Sequence, residues 1–288
     1  MRSTGRHERA LPGEKAPPMQ KTIEGVRLAY DEAGSGEMTL VLLHGFPLDR
    51  TIWDAQMAPL ARHARVIRAD LRGSGESGLG TGPALMETLA GDLYGLLDAL
   101  DVGRAIVVGH SIGSYVALAF FRMYAERVAG LGLVGGHVAA DTPALLPGRD
   151  LLAARVAAEG IEPAVEAYWP RYFNPRFYKE DAALVAHARA IMRRQNPAGA
   201  AAHIIGMKER VGSEDLLEDI HVPALVVAGA SDDWITPESL ERTSAAIVDS
   251  EYVLLPAVGH MPMMEAPEET TAALERLVAR CGRAAVRE

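Results

Sequence analysis

The sequence predicts an α/β fold: a mostly parallel twisted sheet flanked by helices, with a helical cap insertion. Three observations carry this reading. From residue 22 onward, short apolar runs alternate with segments of helical periodicity, the pattern of strands joined by helical crossovers. One long stretch, 138–220, breaks that rhythm. Finally, 49% apolar residues over 288 positions are enough to fill a large single core.

Taken in order, residues 1–21 carry Arg2, Arg6, Arg9 and Lys15 but no apolar stretch of signal-peptide length, so a disordered leader is expected there. The strand-like runs are 22–30, 39–43, 64–69, 105–108, 128–134, 224–228 and 252–255. Between them, 85–100 repeats apolar residues at helical spacing (Leu85, Leu89, Leu93, Leu96, Leu97, Leu100), as does the stretch after Ser111. Further helices are expected after Pro237 and Pro267, since proline fits a first helical turn. The stretch 138–220 is alanine-rich, offers no strand, and is cut by prolines at 143, 147, 163, 170, 175 and 197 into short helices. The expected division is therefore a core of 22–137 and 221–288 with a helical cap of 138–220.

A formal charge of −9, with no lysine or arginine stripe, argues against a nucleic-acid or anionic-membrane partner and points to small molecules. No run approaches the roughly 20 apolar residues that cross a bilayer, so a cytoplasmic location is expected. The single cysteine, Cys281, continues the apolar spacing of Leu274, Leu277 and Val278 and is expected in the core. No histidine or cysteine cluster has metal-ligand spacing, and no metal or organic cofactor is expected.

The residues that carry chemistry are Gly109-His110-Ser111-Ile112-Gly113, between an apolar run and a helical one. A serine between two glycines at a strand-to-helix switch is a nucleophile elbow, a turn tight enough that only hydrogens fit at the flanking positions. A serine hydroxyl is a poor nucleophile at neutral pH, so it needs a base and a group that fixes the base's tautomer. Downstream, the loop 230–237 after one strand-like run offers Asp232 and Asp233, and the loop 258–267 after the next offers His260. The order Ser, Asp, His, each in a loop after a strand, gathers the three groups at the carboxyl edge of a parallel sheet.

With these residues the chain resembles serine hydrolases of the α/β-hydrolase superfamily, in an esterase or 3-oxoadipate enol-lactonase-like branch, over essentially all of 22–282. The family's oxyanion loop appears as His44-Gly45-Phe46-Pro47, its Asp-x-Arg-Gly-x-Gly-x-Ser turn as Asp70 to Ser77, and its Gly-His-x-x-x-x-Glu-x-Pro segment as Gly259 to Pro267. The resemblance implies that Ser111 is the nucleophile, that His260 is the general base and then acid, and that the backbone N–H groups of Phe46 and Ile112 form the oxyanion hole. His44, Asp70 and Arg72 read as loop-bracing residues and His110 as a packing residue, while His137 matches no motif. The triad acid has two candidates. Asp232 is the third residue after Gly229, and Asp233 lies four before Pro237. Asp233 is favoured, because its spacing to the helix start is the fixed one; Asp232 is the alternative.

The expected reaction is hydrolysis of a carboxylic ester or lactone through an acyl-enzyme, with activity falling on acidification as the base takes up a proton. A serine nucleophile argues against dehalogenase and most epoxide-hydrolase chemistry, which in this family uses an aspartate. Six cap aromatics (Tyr168, Trp169, Tyr172, Phe173, Phe177, Tyr178) and Met261, Met263 and Met264 are candidates either for an apolar acyl pocket or for cap packing. Arg171, Arg176, Arg193 and Arg194 keep open a carboxylate clamp, as in 3-oxoadipate enol-lactonases. Carbon–carbon bond hydrolysis or peracid formation by the same triad, and a non-catalytic ligand-binding role, are the remaining alternatives.

Overall fold

The computed structural model describes residues 18–285, and most of the expected leader lies outside them. The leader's boundary at residue 21 does not hold, because Met19–Ile23 already forms the first strand, β1. The run 22–30 is likewise two strands rather than one: β1 turns at Glu24-Gly25 and pairs antiparallel with β2 (Val26–Ala33), Met19 opposite Tyr30.

The sheet has eight strands in the order β1-β2-β4-β3-β5-β6-β7-β8. Strand β2 runs antiparallel to β4 (Arg65–Ala69), and from there every pairing is parallel, through β3 (Thr39–Leu43), β5 (Ala105–His110), β6 (Val128–Val134), β7 (Ala224–Gly229) and β8 (Ser250–Leu255). The central strands are continuous apolar runs because both sheet faces are covered. In β3, Leu40, Val41, Leu42 and Leu43 are all buried, although alternate residues point to opposite faces.

Helices α1 (Asp54–Leu60), α2 (Met86–Ala99) and α3 (Ile112–Tyr124) come from the first half of the chain, α2 burying Leu89, Leu93, Leu96 and Leu97 and packing against α3. After β7 come α9 (Pro237–Ala246), the four-residue α10 (Pro262–Glu265) and α11 (Pro267–Ala285). Thr236 caps α9 by accepting from Ser239 N–H, with Pro237 in the first turn. In α11, Leu274, Leu277, Val278 and Cys281 face the core, and burial pushes the Cys281 thiol up to about 12, so it behaves as a small apolar side chain.

Between β6 and β7 the chain is helical: α4 (Leu146–Glu159), α5 (Glu162–Tyr168), α6 (Phe177–Glu180), α7 (Ala182–Arg193) and α8 (Pro197–Glu209). This insertion is tied to the loops of the core by polar contacts. Ala84 N–H donates to Ala202 O at 3.1 Å, and His203 Nε2 lies 2.8 Å from Arg72 O. Burial first, and then the charge of nearby groups, pushes His203 down to about 4, so it is neutral at pH 7.

A further tie is made by Asp49. Its carboxylate accepts from Arg194 at 2.8 Å through both Nε and Nη2, from Gln195 Nε2 at 2.9 Å, and from Thr51 Oγ1 at 2.6 Å. Burial alone would raise its pKa, but the hydrogen bonds from Arg194 and Thr51 outweigh it and hold the group at about 2. A depressed carboxylate stabilises the fold above its unfolded pKa and loses that contribution as pH falls through the folded one. Asp49→Asn is therefore expected to lower unfolding free energy by about 2 kcal/mol at pH 7. In denaturant titrations the difference from wild type should shrink between pH 4 and pH 2; a gap constant across that range contradicts this account.

Candidate active site

Ser111 sits between β5 and α3 with φ 51° and ψ −114°, a conformation that costs a non-glycine residue roughly 1–3 kcal/mol and persists only where its surroundings enforce it. They do so by crowding. A Cβ on Gly109 would lie 2.0 Å from the carbonyl of Gly113, and one on Gly113 would lie 2.8 Å from the carbonyl oxygens of Leu43 and His44. Ser111 N–H donates to Val134 O at 3.0 Å, and Ser114 Oγ donates to Gly109 O at 2.6 Å, which locks the turn on both sides.

His260 follows β8, is 2% exposed, and places Nδ1 2.7 Å from Oδ2 of Asp232, itself 5% exposed. An ionised carboxylate only accepts, so Nδ1 carries the hydrogen and Nε2 keeps its lone pair for another group's proton. The other oxygen, Asp232 Oδ1, accepts from Trp234 N–H at 2.8 Å and Ile235 N–H at 3.0 Å.

This corrects the choice of Asp233. That residue is exposed, and its contribution here is a backbone carbonyl that accepts from the Arg171 guanidinium. The reason lies in which end of the loop keeps a fixed spacing. On the strand side the turn is fixed by Asp232 N–H to Gly229 O at 3.2 Å and Ser231 N–H to Val258 O at 2.8 Å. The slack falls instead between Asp232 and Pro237, so the count from Gly229 finds the residue that reaches the imidazole.

Ser111 and His260 open on one cavity of about 400 Å³, within the range of small-molecule sites, together with Phe46, Tyr115, His137, Arg149, Tyr168, Arg171, Tyr172 and Trp234. Ile112 is the first residue of α3, so its N–H is among the amides with no intrahelical acceptor. His44 braces the loop before Phe46: Leu71 N–H donates to its Nε2 at 3.0 Å, and its Nδ1 lies 2.8 Å from Gly45 O. Asp70 takes N–H donors from Arg50 and Glu76, Arg72 pairs with Asp92, and His110 Nε2 lies 2.7 Å from His260 O. Burial, and then neighbouring His260, push the pKa of His110 well down.

Of the six cap aromatics, Tyr168 and Tyr172 line the cavity. Met261 and Met263 are fully buried in the core, Met264 packs half-buried against it, and none of the three lines the cavity, so the methionines after His260 are packing residues. Of the four arginines singled out, Arg171 lines the cavity, stacked 4.1 Å from the Trp234 ring centre. Arg193 pairs with Glu162, Arg194 with Asp49, and Arg176 lies over Phe177. Those three side chains are therefore committed to packing and ion pairs within the protein.

The sequence reading missed a polar cluster on the cavity wall. Asp141 accepts from Arg149 Nε and from Arg210 Nη1, each at 2.8 Å, and Arg149 Nη1 donates to Tyr168 Oη at 2.6 Å. Although burial opposes it, the two guanidiniums hold the Asp141 carboxyl below its ordinary value. His137 beside them is pushed down to about 4, by burial first and then by Arg210, and is neutral at pH 7. Scattered charges in an alanine-rich helical stretch carry no spacing signal, which is why no motif pointed to them. Among the described residues, no group of three or more His, Cys, Asp or Glu side chains could hold a metal ion, and no helix is long and apolar enough to cross a membrane.

The family described as the alpha/beta hydrolase fold matches residues 39–267. The chain is 32% identical over 260 residues to a Pseudomonas putida dihydrolipoyllysine-residue acetyltransferase component of an acetoin cleaving system, covering 88% of this chain and 68% of that protein. Among solved structures, a thermophilic esterase from Thermogutta terrifontis, with malate bound, superposes with TM-score 0.87 at 36% identity, covering 93% of this chain and 99% of that one. An enol-lactonase from Burkholderia xenovorans LB400 superposes with TM-score 0.84 at 26% identity, covering 91% and 100%.

A short hydrogen bond from an imidazole N–H to a buried carboxylate gives a far-downfield proton resonance. We expect that signal in wild type and in Asp233→Asn, and its loss in Asp232→Asn. Loss in Asp233→Asn instead would restore the acid favoured by sequence.

Proposed function

This chain belongs to the α/β-hydrolase family, and on that premise we propose that it hydrolyses a carboxylic ester or lactone of a small molecule through an acyl-enzyme on Ser111. The observation that carries the reading is that a strained serine and a carboxylate-backed imidazole open on the same cavity. Ser111 Oγ attacks the ester carbonyl while His260 Nε2 takes its proton, and Asp232 stabilises the imidazolium through Nδ1–H. The N–H groups of Phe46 and Ile112 receive the developing oxyanion, a contribution worth about 10²–10³ in rate per donor. The imidazolium gives its proton to the leaving alcohol. Water then enters and attacks the acyl carbon as His260 takes its proton, and the imidazolium returns that proton to Ser111 Oγ as the acid leaves. In this scheme 138–220 is a cap that closes the cavity over the acyl group.

A second reading narrows the substrate to one bearing a free carboxylate, as the enol-lactonase neighbour invites. Two guanidiniums, Arg149 and Arg171, line the cavity against a single carboxylate, Asp141, in a chain whose net charge is −9. Arg149 is tied to Asp141, whereas Arg171 holds only a backbone carbonyl and a ring face, which leaves donors for a ligand.

Ser111→Ala is expected to lower kcat on p-nitrophenyl butyrate by about 10⁴–10⁶ while the folded protein is retained. Wild-type turnover in the variant would place the chemistry elsewhere. For the narrower reading, Arg171→Gln should raise KM for a carboxylate-terminated ester about tenfold and leave an uncharged ester of equal length unchanged. Equal changes on both esters exclude the clamp.

A further inference from the structure

Two residues of one short segment of the helical insertion, Tyr172 and Asn174, reach three separate loops of the core. The Tyr172 hydroxyl donates to the carbonyl of Phe46, in the loop after β3, while its own carbonyl accepts from His260 N–H at 2.8 Å, in the loop after β8. Two residues on, Asn174 Nδ2 donates to Ser231 Oγ at 2.8 Å, beside Asp232 in the loop after β7. Asn174 N–H donates to Glu265 Oε2 at 2.8 Å, and the same carboxylate accepts from Gly259 N–H and Met261 N–H, the residues on either side of His260. The segment also passes so close that a Cβ on Gly259 would lie 2.6 Å from Asn174 N and 2.8 Å from the Phe173 carbonyl carbon.

We propose that the segment 172–174 is part of the catalytic apparatus: Tyr172 positions the oxyanion loop against His260, and Asn174 positions the loop that carries Asp232. This inference rests on the assignment of Ser111, His260 and Asp232 above.

The physical argument is one of slack. Loops after parallel strands are fixed at their strand ends but not at their tips, and misplacing a reacting group by about 1 Å can cost about 10² in rate. Phe46 is the residue at issue, because its N–H is the donor assigned to the oxyanion. Its carbonyl belongs to the same residue, and Pro47, which follows, has no N–H with which to brace the loop. Tyr172 supplies the tie from outside the core. The tyrosine ring also lies 5.3 Å from the imidazole of His260, centre to centre, so one side chain bounds both groups. Burial pushes the Tyr172 phenol well up, which keeps it a donor at any working pH. The insertion thus holds the catalytic loops in register as well as roofing the cavity.

Tyr172→Phe removes the hydroxyl tie but leaves the backbone bond to His260 and the ring contact in place. With p-nitrophenyl butyrate we expect kcat to fall about tenfold or more, with KM changed less than threefold and with slower covalent labelling by an alkyl fluorophosphonate, whose reaction passes through a similar oxyanion. Asn174→Ser, which keeps the backbone bond to Glu265, should lower kcat severalfold at unchanged KM and serves if Tyr172→Phe does not fold. A merely structural role would lower thermal stability and leave kcat and the labelling rate of the folded protein at wild-type values, which overturns the proposal. Ser111→Ala is measured alongside. Turnover surviving in it overturns the active-site assignment and this inference together, whereas its loss beside wild-type kinetics in Tyr172→Phe and Asn174→Ser overturns this inference alone.

Discussion

Six consecutive strands of the sheet, from β4 through β3 to β8, run in the same direction, so the loops that follow them leave at one edge. That constraint brings residues 46, 111, 232 and 260, scattered over more than two hundred positions, to the rim of one cavity or directly behind it. Nothing about the chemistry requires these segments to be near each other in sequence; the parallel ladder supplies the proximity. Its cost is that the central strands must be buried on both faces, and β3, β5 and β7 meet it with unbroken buried runs.

The constraint fixes where loops emerge, not how their tips are oriented. Orientation comes from a second set of interactions that are polar and buried: His44 under the loop at Phe46, Glu265 around His260, and the turn that aims Asp232. Each places a hydrogen-bonding group out of water with its partners supplied, where an unmet group would cost roughly 1–3 kcal/mol. Such groups allow few alternative arrangements, which suits a site whose geometry decides its rate. The helical insertion joins this set through Tyr172 and Asn174, so the division between a catalytic core and a covering layer is less sharp than the alternation of strands and helices suggests.

Legibility followed range. The elbow is visible because Gly109, Ser111 and Gly113 act on each other within five residues, and His260 because its loop carries a local pattern of its own, made of glycine, glutamate and proline. The choice between Asp232 and Asp233 was not visible, since it turns on Ser231 meeting Val258, a contact 27 residues away that no spacing rule encodes. The hairpin at Glu24-Gly25 reads as a single strand in sequence because its turn lacks the usual Asn-Gly or Asp-Gly signal. Arg149, Asp141 and Arg210 gave no signal because helices α4 and α8, and the segments flanking them, bring them together only after the insertion folds.

The account depends most on Ser111 becoming covalently acylated during turnover. Rapid quenching of wild-type protein with excess p-nitrophenyl butyrate, followed by intact-mass measurement and peptide mapping, reads this directly. The account predicts a single butyryl adduct, mapped to Ser111, that forms with the burst of nitrophenolate and decays at the steady-state rate. Turnover with no adduct, or with the adduct on another residue, would contradict it.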